Sequence, residues 1–141
     1  VAEYTMATLA SYLLGDAVFQ WTVTISLTLF AMGLGSAYSK KVRNPLSGLI
    51  WCEIALSIVC STCAVIAYSA ASYFDPTLII YGTSMSIGFL IGMEIPLATR
   101  INEQFLDLKD NISKIMEYDY FGALLGGAIF AFIALPHLGL T

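Results

Sequence analysis

All six basic residues of this chain fall in two short stretches. Lys40, Lys41 and Arg43 lie in one, and Arg100, Lys109 and Lys114 in the other. Around and between them run apolar segments long enough to cross a bilayer, while the remaining connections carry acid without Lys or Arg. Membrane proteins show this segregation because their Lys- and Arg-bearing loops stay on the cytoplasmic side. The pattern predicts an all-α, polytopic transmembrane bundle whose loops 40–48 and 100–117 face the cytoplasm.

Composition points the same way. Of 141 residues, 58% are hydrophobic and 11% charged, against about 25% charged in an average soluble domain. So few polar side chains cannot coat a water-soluble globule of this size, and lipid is the expected partner. Nucleic acid is excluded, because no basic face with interleaved aromatics is present. Cys60 and Cys63 form a C-x-x-C spacing near Cys52, but no second pair or histidine cluster completes a metal site. These thiols read as buried and structural, and no metal is expected.

About five spans are expected, with one interfacial helix. The first covers residues 1–14 and stops at Gly15-Asp16. It is shorter than the roughly 20 residues a crossing needs, so it reads as truncated, and the chain, which starts at Val1, reads as part of a longer protein. Residues 17–39 form the second span, ended by Lys40, Lys41, Arg43 and the Asn44-Pro45 turn. The third covers 49–73, with Trp51 near one end and Tyr68 and Tyr73 near the other as interfacial anchors. Phe74-Asp75-Pro76 turns the chain into a fourth span, 77–98, and the fifth covers 118–138. Small residues suited to close helix contact are Gly33 and Gly35, then Ser84, Gly88 and Gly92 at four-residue spacing, then Gly122 and Gly126.

Residues 101–117 have a different rhythm. Ile101, Phe105, Leu108, Ile112 and Ile115 recur at steps of four and three among polar residues. That narrow seam predicts an amphipathic helix at the membrane surface or against a soluble partner.

Acids inside the spans need a reason, since a charge near a helix centre costs at least about 2.5 kcal/mol. Glu94 lies roughly six residues, or about 9 Å of helix, inward from Arg100, and Glu3 about 17 Å from the outer end of its span. Glu53 is about one turn inside span three, and Asp119 stands at the mouth of span five. Two readings stay open. Together the acids form a pocket open to the cytoplasm for a cation or protonated amine, or each is neutralised separately by protonation, by Arg100 or by helix hydrogen bonds. Glu94 is the sharpest candidate, because Pro96 frees the carbonyl of Gly92 beside it. No catalytic constellation accompanies the acids: Gly33-Leu34-Gly35 lacks the third glycine of a nucleotide fingerprint, and there is no P-loop or Ser-His-Asp grouping.

Several segments carry a resemblance: Glu3 followed by Thr8-Leu9-Ala10-Ser11-Tyr12-Leu13-Leu14-Gly15-Asp16; Phe30-Ala31-Met32-Gly33-Leu34-Gly35-Ser36; Gly92-Met93-Glu94-Ile95-Pro96-Leu97 with Thr99-Arg100; Asp119-Tyr120 with Gly122-Ala123-Leu124-Leu125-Gly126; and Leu135-Pro136 with Leu138-Gly139-Leu140. In this order they resemble the membrane region of bacterial spermidine synthase-like proteins, whose helices precede a cytoplasmic aminopropyltransferase domain. Ala2 and Ala17 depart from the pattern, where Tyr and Ser are expected.

The resemblance implies a bacterial inner-membrane location and a parent protein that moves an aminopropyl group from decarboxylated S-adenosylmethionine to a diamine. It also implies a cytoplasmic synthase domain as partner, and a polyamine as ligand for Glu3, Glu53 and Glu94, with Asp119 and Arg100 as further ligand-binding candidates. The family's glycine-rich nucleotide loop and catalytic acid are not among these residues, so none of its catalytic positions carries over. A transporter-like module and an accessory subunit of a larger membrane complex are the alternative readings.

Overall fold

Gly15 and Asp16 interrupt the first apolar run, and both take left-handed backbone conformations, with φ of 75° and 41°. Glycine does so without steric cost, and Asp is among the few other residues that tolerate it. Asp16 then opens the next helix: its carboxylate accepts from Phe19 N at 3.3 Å, and its carbonyl from Gln20 N at 3.0 Å. In the computed structural model, which describes residues 2–71, 77–103 and 107–138, this turn separates α1 (Ala2–Leu14) from α2 (Ala17–Ser39).

A tight turn follows, with Lys41 N bonded to Tyr38 O and Val42 N to Ser39 O. Helix α3 (Pro45–Ala71) begins at the proline itself. Pro45 supplies a pre-set φ and needs no donor at the first helical position, so the helix starts four residues ahead of the apolar run. Helix α4 (Thr77–Asn102) continues straight through Pro96. The expected turn at Phe74-Asp75-Pro76, the anchor Tyr73 and the side chain of Tyr68 lie outside the described residues. Helix α5 (Leu108–Ile129) passes at Phe130–Ala134 into a π-helical turn and ends in a short α6 (Leu135–Leu138).

Helix α2 shows how the sequence drives packing. Its buried stripe is Gln20, Thr24, Thr28, Ala31, Gly35 and Ser39, which are small or polar. Val18, Phe19, Ile25, Leu29, Phe30 and Leu34 are exposed. A helix in water would bury the second set and show the first. The observed order is compatible with a lipid surround, where large apolar side chains gain nothing from leaving it while small ones permit close helix approach.

Two buried hydroxyls are served by their own helices, Thr28 Oγ1 donating to Thr24 O at 2.8 Å and Ser84 Oγ to Ile80 O at 2.8 Å, whereas Thr24 Oγ1 is buried without a partner among the described residues. Between helices, Tyr81 OH donates to Gln20 Oε1 at 2.5 Å.

The α2–α4 seam is the tightest in the bundle. A Cβ added at Gly92 would strike the backbone of Met32, one at Gly35 the carbonyl of Phe89, and one at Gly88 would stand 2.5 Å from the carbonyl of Thr28. Ser84 is buried on the same face of α4. Gly33 and Gly122 do not share this role, because both face open space.

Two expectations need correction. About five spans were expected, but among the described residues three helices are long and apolar enough to cross a membrane: Ala17–Ser39, the Pro45–Cys63 part of α3, and Thr77–Asn102, with mean hydropathies of 1.5, 1.7 and 1.6. Helix α1 has 13 residues, about 20 Å of helix against a hydrocarbon core of about 30 Å. The first twelve residues of α5 carry Lys109, Asp110, Lys114, Glu117 and Asp119.

Nor does a boundary separate an interfacial helix over 101–117 from a span beginning at 118. Residues 101 and 102 end α4, and α5 runs unbroken from Leu108, since no glycine or proline stands near the junction. Of the expected apolar seam, Ile101 and Ile115 are half-buried, and the side chain of Leu108 lies outside the described residues. Ile112 is 39% exposed, whereas Asn111 is fully buried and donates from Nδ2 to Thr99 O at 2.8 Å. Phe105 lies outside the described residues.

Candidate functional site

Arg100 does not serve the acids. Its Nη1 donates to Val42 O at 2.8 Å and to Ser39 O at 3.2 Å, closing the carboxyl end of α2, where unpaired carbonyls gather partial negative charge. The contact also ties the end of α4 to the 40–44 turn, so both basic stretches meet at one end of the bundle. Arg100→Leu should destabilise the folded protein by about 1.5–3 kcal/mol, the usual worth of hydrogen bonds from a charged donor. Thermal unfolding in detergent would measure this, and a retained melting temperature would contradict the assignment.

Glu3, Glu94 and Asp119 line one cavity of about 460 Å³ together with Met32, Leu56, Ile91, Tyr118, Gly122 and Ala123. Helices α1 to α5 each contribute to its wall. Glu94 comes from the last third of α4, and its Oε1 is buried without a hydrogen-bond partner among the described residues. Glu3 is half-buried on α1, and Asp119 is exposed on α5. Glu53 is exposed on α3 and does not line the cavity. It stands near enough for its charge to act on Glu94.

Among the described residues no lysine or arginine lines this space. A buried carboxyl oxygen without a donor, with two more acids around it, favours a cation. The walls give such a ligand apolar surface from Met32, Leu56 and Ile91, and the ring of Tyr118 offers a face on which a cation can rest.

Met32, Leu56, Ile91 and Tyr118 carried no signal in the sequence. Each looks like any apolar or aromatic residue of a span, and only helix rotation brings them to the acids. A second groove, of about 510 Å³, lies between Tyr4, Thr8, Trp21 and the end of α5 with the π-helical turn that follows it, up to Phe132. Among the described residues its lining has no carboxylate, lysine or arginine to hold a charged ligand. Among the described residues, no group of three or more His, Cys, Asp or Glu is placed to hold a metal.

Fold and site together define an all-α chain with three membrane-length apolar helices and an acid-lined cavity among its helices. Known proteins narrow the class. The chain is 48% identical over 144 residues to Polyamine aminopropyltransferase 2 of Aquifex aeolicus (strain VF5), a match covering 99% of this chain and 29% of that protein. It is 35% identical over 151 residues to Polyamine aminopropyltransferase 2 of Streptomyces coelicolor, covering 99% of this chain and 27% of the relative. With the Polyamine aminopropyltransferase of Oceanobacillus iheyensis it shares 32% identity over 146 residues, covering 100% and 28%.

The chain thus spans less than a third of the length of the curated relatives it matches, and it resembles the N-terminal region of spermidine synthase-like proteins. The resemblance to spermidine synthase-like proteins read from its sequence motifs holds for the family and for the N-terminal position. No family model matches the chain, and no solved structure does.

Proposed function

We propose that this chain is the membrane-embedded N-terminal part of a spermidine synthase-like protein of the bacterial inner membrane. It holds an aminopropyltransferase portion at the cytoplasmic face and binds a protonated polyamine in its acidic cavity. Helices α2, α3 and α4 cross the bilayer, with α1 and α5 packed alongside them. Decarboxylated S-adenosylmethionine serves as aminopropyl donor to the larger portion, and the cavity takes the cationic substrate or product.

The observation that carries this reading is the cavity: α1 to α5 converge on it, and its ionisable lining is acidic throughout. A polyamine alternates ammonium groups with methylene runs. Glu3, Glu94 and Asp119 suit the first, and Met32, Leu56, Ile91 and Tyr118 suit the second. The inverted polarity of α2, with its apolar side chains outermost, supports the membrane part.

A chimaera tests the anchoring role. Joined to the remaining portion of the Aquifex aeolicus relative, in place of that protein's own matching stretch, the chain should carry aminopropyltransferase activity into the membrane fraction. Activity recovered in the soluble fraction, with the fusion intact, would contradict it.

A further inference from the structure

Three of the chain's cations, Lys40, Lys41 and Arg43, sit within four positions, and all are exposed. Basic residues just after a helix commonly serve its last carbonyls. Here that task is met by other groups. Arg100 donates to Ser39 O and Val42 O, and the turn's own amides bond to Tyr38 O and Ser39 O. Lys41 lies 5.6 Å from the centre of the Tyr38 ring, and no acid occurs between residues 38 and 48.

The turn also leads into the amino end of α3, 27 residues long. Helix geometry leaves the amides of Leu46 and Ser47 there without intrahelical acceptors, adding to the positive potential. Directly beside these charges stand Leu46, Ile50 and Trp51, which are 60%, 51% and 68% exposed.

We infer that this corner binds the headgroup of an anionic phospholipid, with Lys40, Lys41, Arg43 and the amino end of α3 meeting the phosphate and Leu46, Ile50 and Trp51 meeting the attached acyl chains. Charge complementarity demands an anion, and the apolar surface within the first two turns of α3 selects an amphiphile over a free anion. The inference rests on the membrane reading given above and adds a lipid preference to it.

Native mass spectrometry of the protein released from nanodiscs tests it, using phosphatidylcholine discs with and without phosphatidylglycerol. The wild-type chain should retain phosphatidylglycerol over phosphatidylcholine. Each of Lys40→Gln, Lys41→Gln and Arg43→Gln should weaken that retention about fivefold, in line with the contribution of one basic residue near an anionic surface. Inorganic phosphate should not displace the lipid.

Equal retention of both lipids by a chain that enters both kinds of disc would overturn the lipid site and leave the membrane reading standing. Retention unchanged in the triple variant, or displacement by phosphate, would overturn it as well. A chain that enters neither disc would end both. Arg100 stays untouched in every variant, so the fold of the turn is preserved.

Discussion

Glu94→Gln should weaken the binding of labelled spermidine to the protein in nanodiscs by about ten- to a hundredfold, the worth of a charge-assisted hydrogen bond at a desolvated site. Glutamine keeps the shape and one acceptor of the side chain, so packing against the cavity wall is retained while the charge is lost. Position matters as much as type. Glu53 is acidic and lies near Glu94, yet it is exposed and outside the cavity lining. Glu53→Gln should therefore change binding by at most about fivefold, as for a solvent-screened charge. Glu3→Gln and Asp119→Gln should fall between the two. Equilibrium binding of labelled spermidine measures all four, with circular dichroism as the check on folding. Undiminished binding to a folded Glu94→Gln protein would remove the polyamine from this cavity.

Gly92→Val should cost about 3 kcal/mol or more, near the upper end of overpacking penalties. The reason is geometric. A Cβ at Gly92 meets the backbone of Met32 rather than the end of a flexible side chain, so α2 and α4 must move apart along their whole seam. Gly35→Val should behave alike, because the carbonyl of Phe89 stands in its way. Gly33→Val and Gly122→Val are the controls: both positions face open space, and the expected change stays within about 0.5 kcal/mol, as at surface sites generally. Thermal unfolding in one detergent would compare the four. Equal destabilisation at Gly33 and Gly92 would mean that α2 and α4 do not cross as described.

These paired comparisons mark the limit of what the sequence discloses. The helical class was legible because its causes are local: long apolar runs, a left-handed Gly15-Asp16 turn, and a proline at the first position of α3. Rotation about each helix axis was not legible. Gly33 and Gly35 are two residues apart, about 200° around a helix, so one lies in the seam and the other faces away, although both read as packing residues. The same uncertainty hid which acids converge. Glu3, Glu94 and Asp119 share a cavity through the rotations of α1, α4 and α5, while Glu53 points elsewhere from α3.

Long-range partnerships were hidden for a related reason. The sequence offers Arg100 as one of several ways to neutralise the acids within the spans, but it caps carbonyls about sixty residues away in sequence. Patterning misled over α5. The narrow apolar seam among the polar and charged residues of 101–117 suggested a separate surface helix, yet a change of pattern alone does not end a helix. Without glycine or proline at the junction, the backbone continues.

Sidedness of the chain is tested most directly by labelling single cysteines in cells. After Cys52, Cys60 and Cys63 are replaced by alanine, Asp16→Cys, Asn44→Cys and Glu103→Cys are each exposed to a membrane-impermeant maleimide. The account predicts that Asp16→Cys reacts in intact cells, and that Asn44→Cys and Glu103→Cys react only after permeabilisation. Labelling of positions 16 and 44 from the same compartment would contradict it, because α2 would then not cross the bilayer.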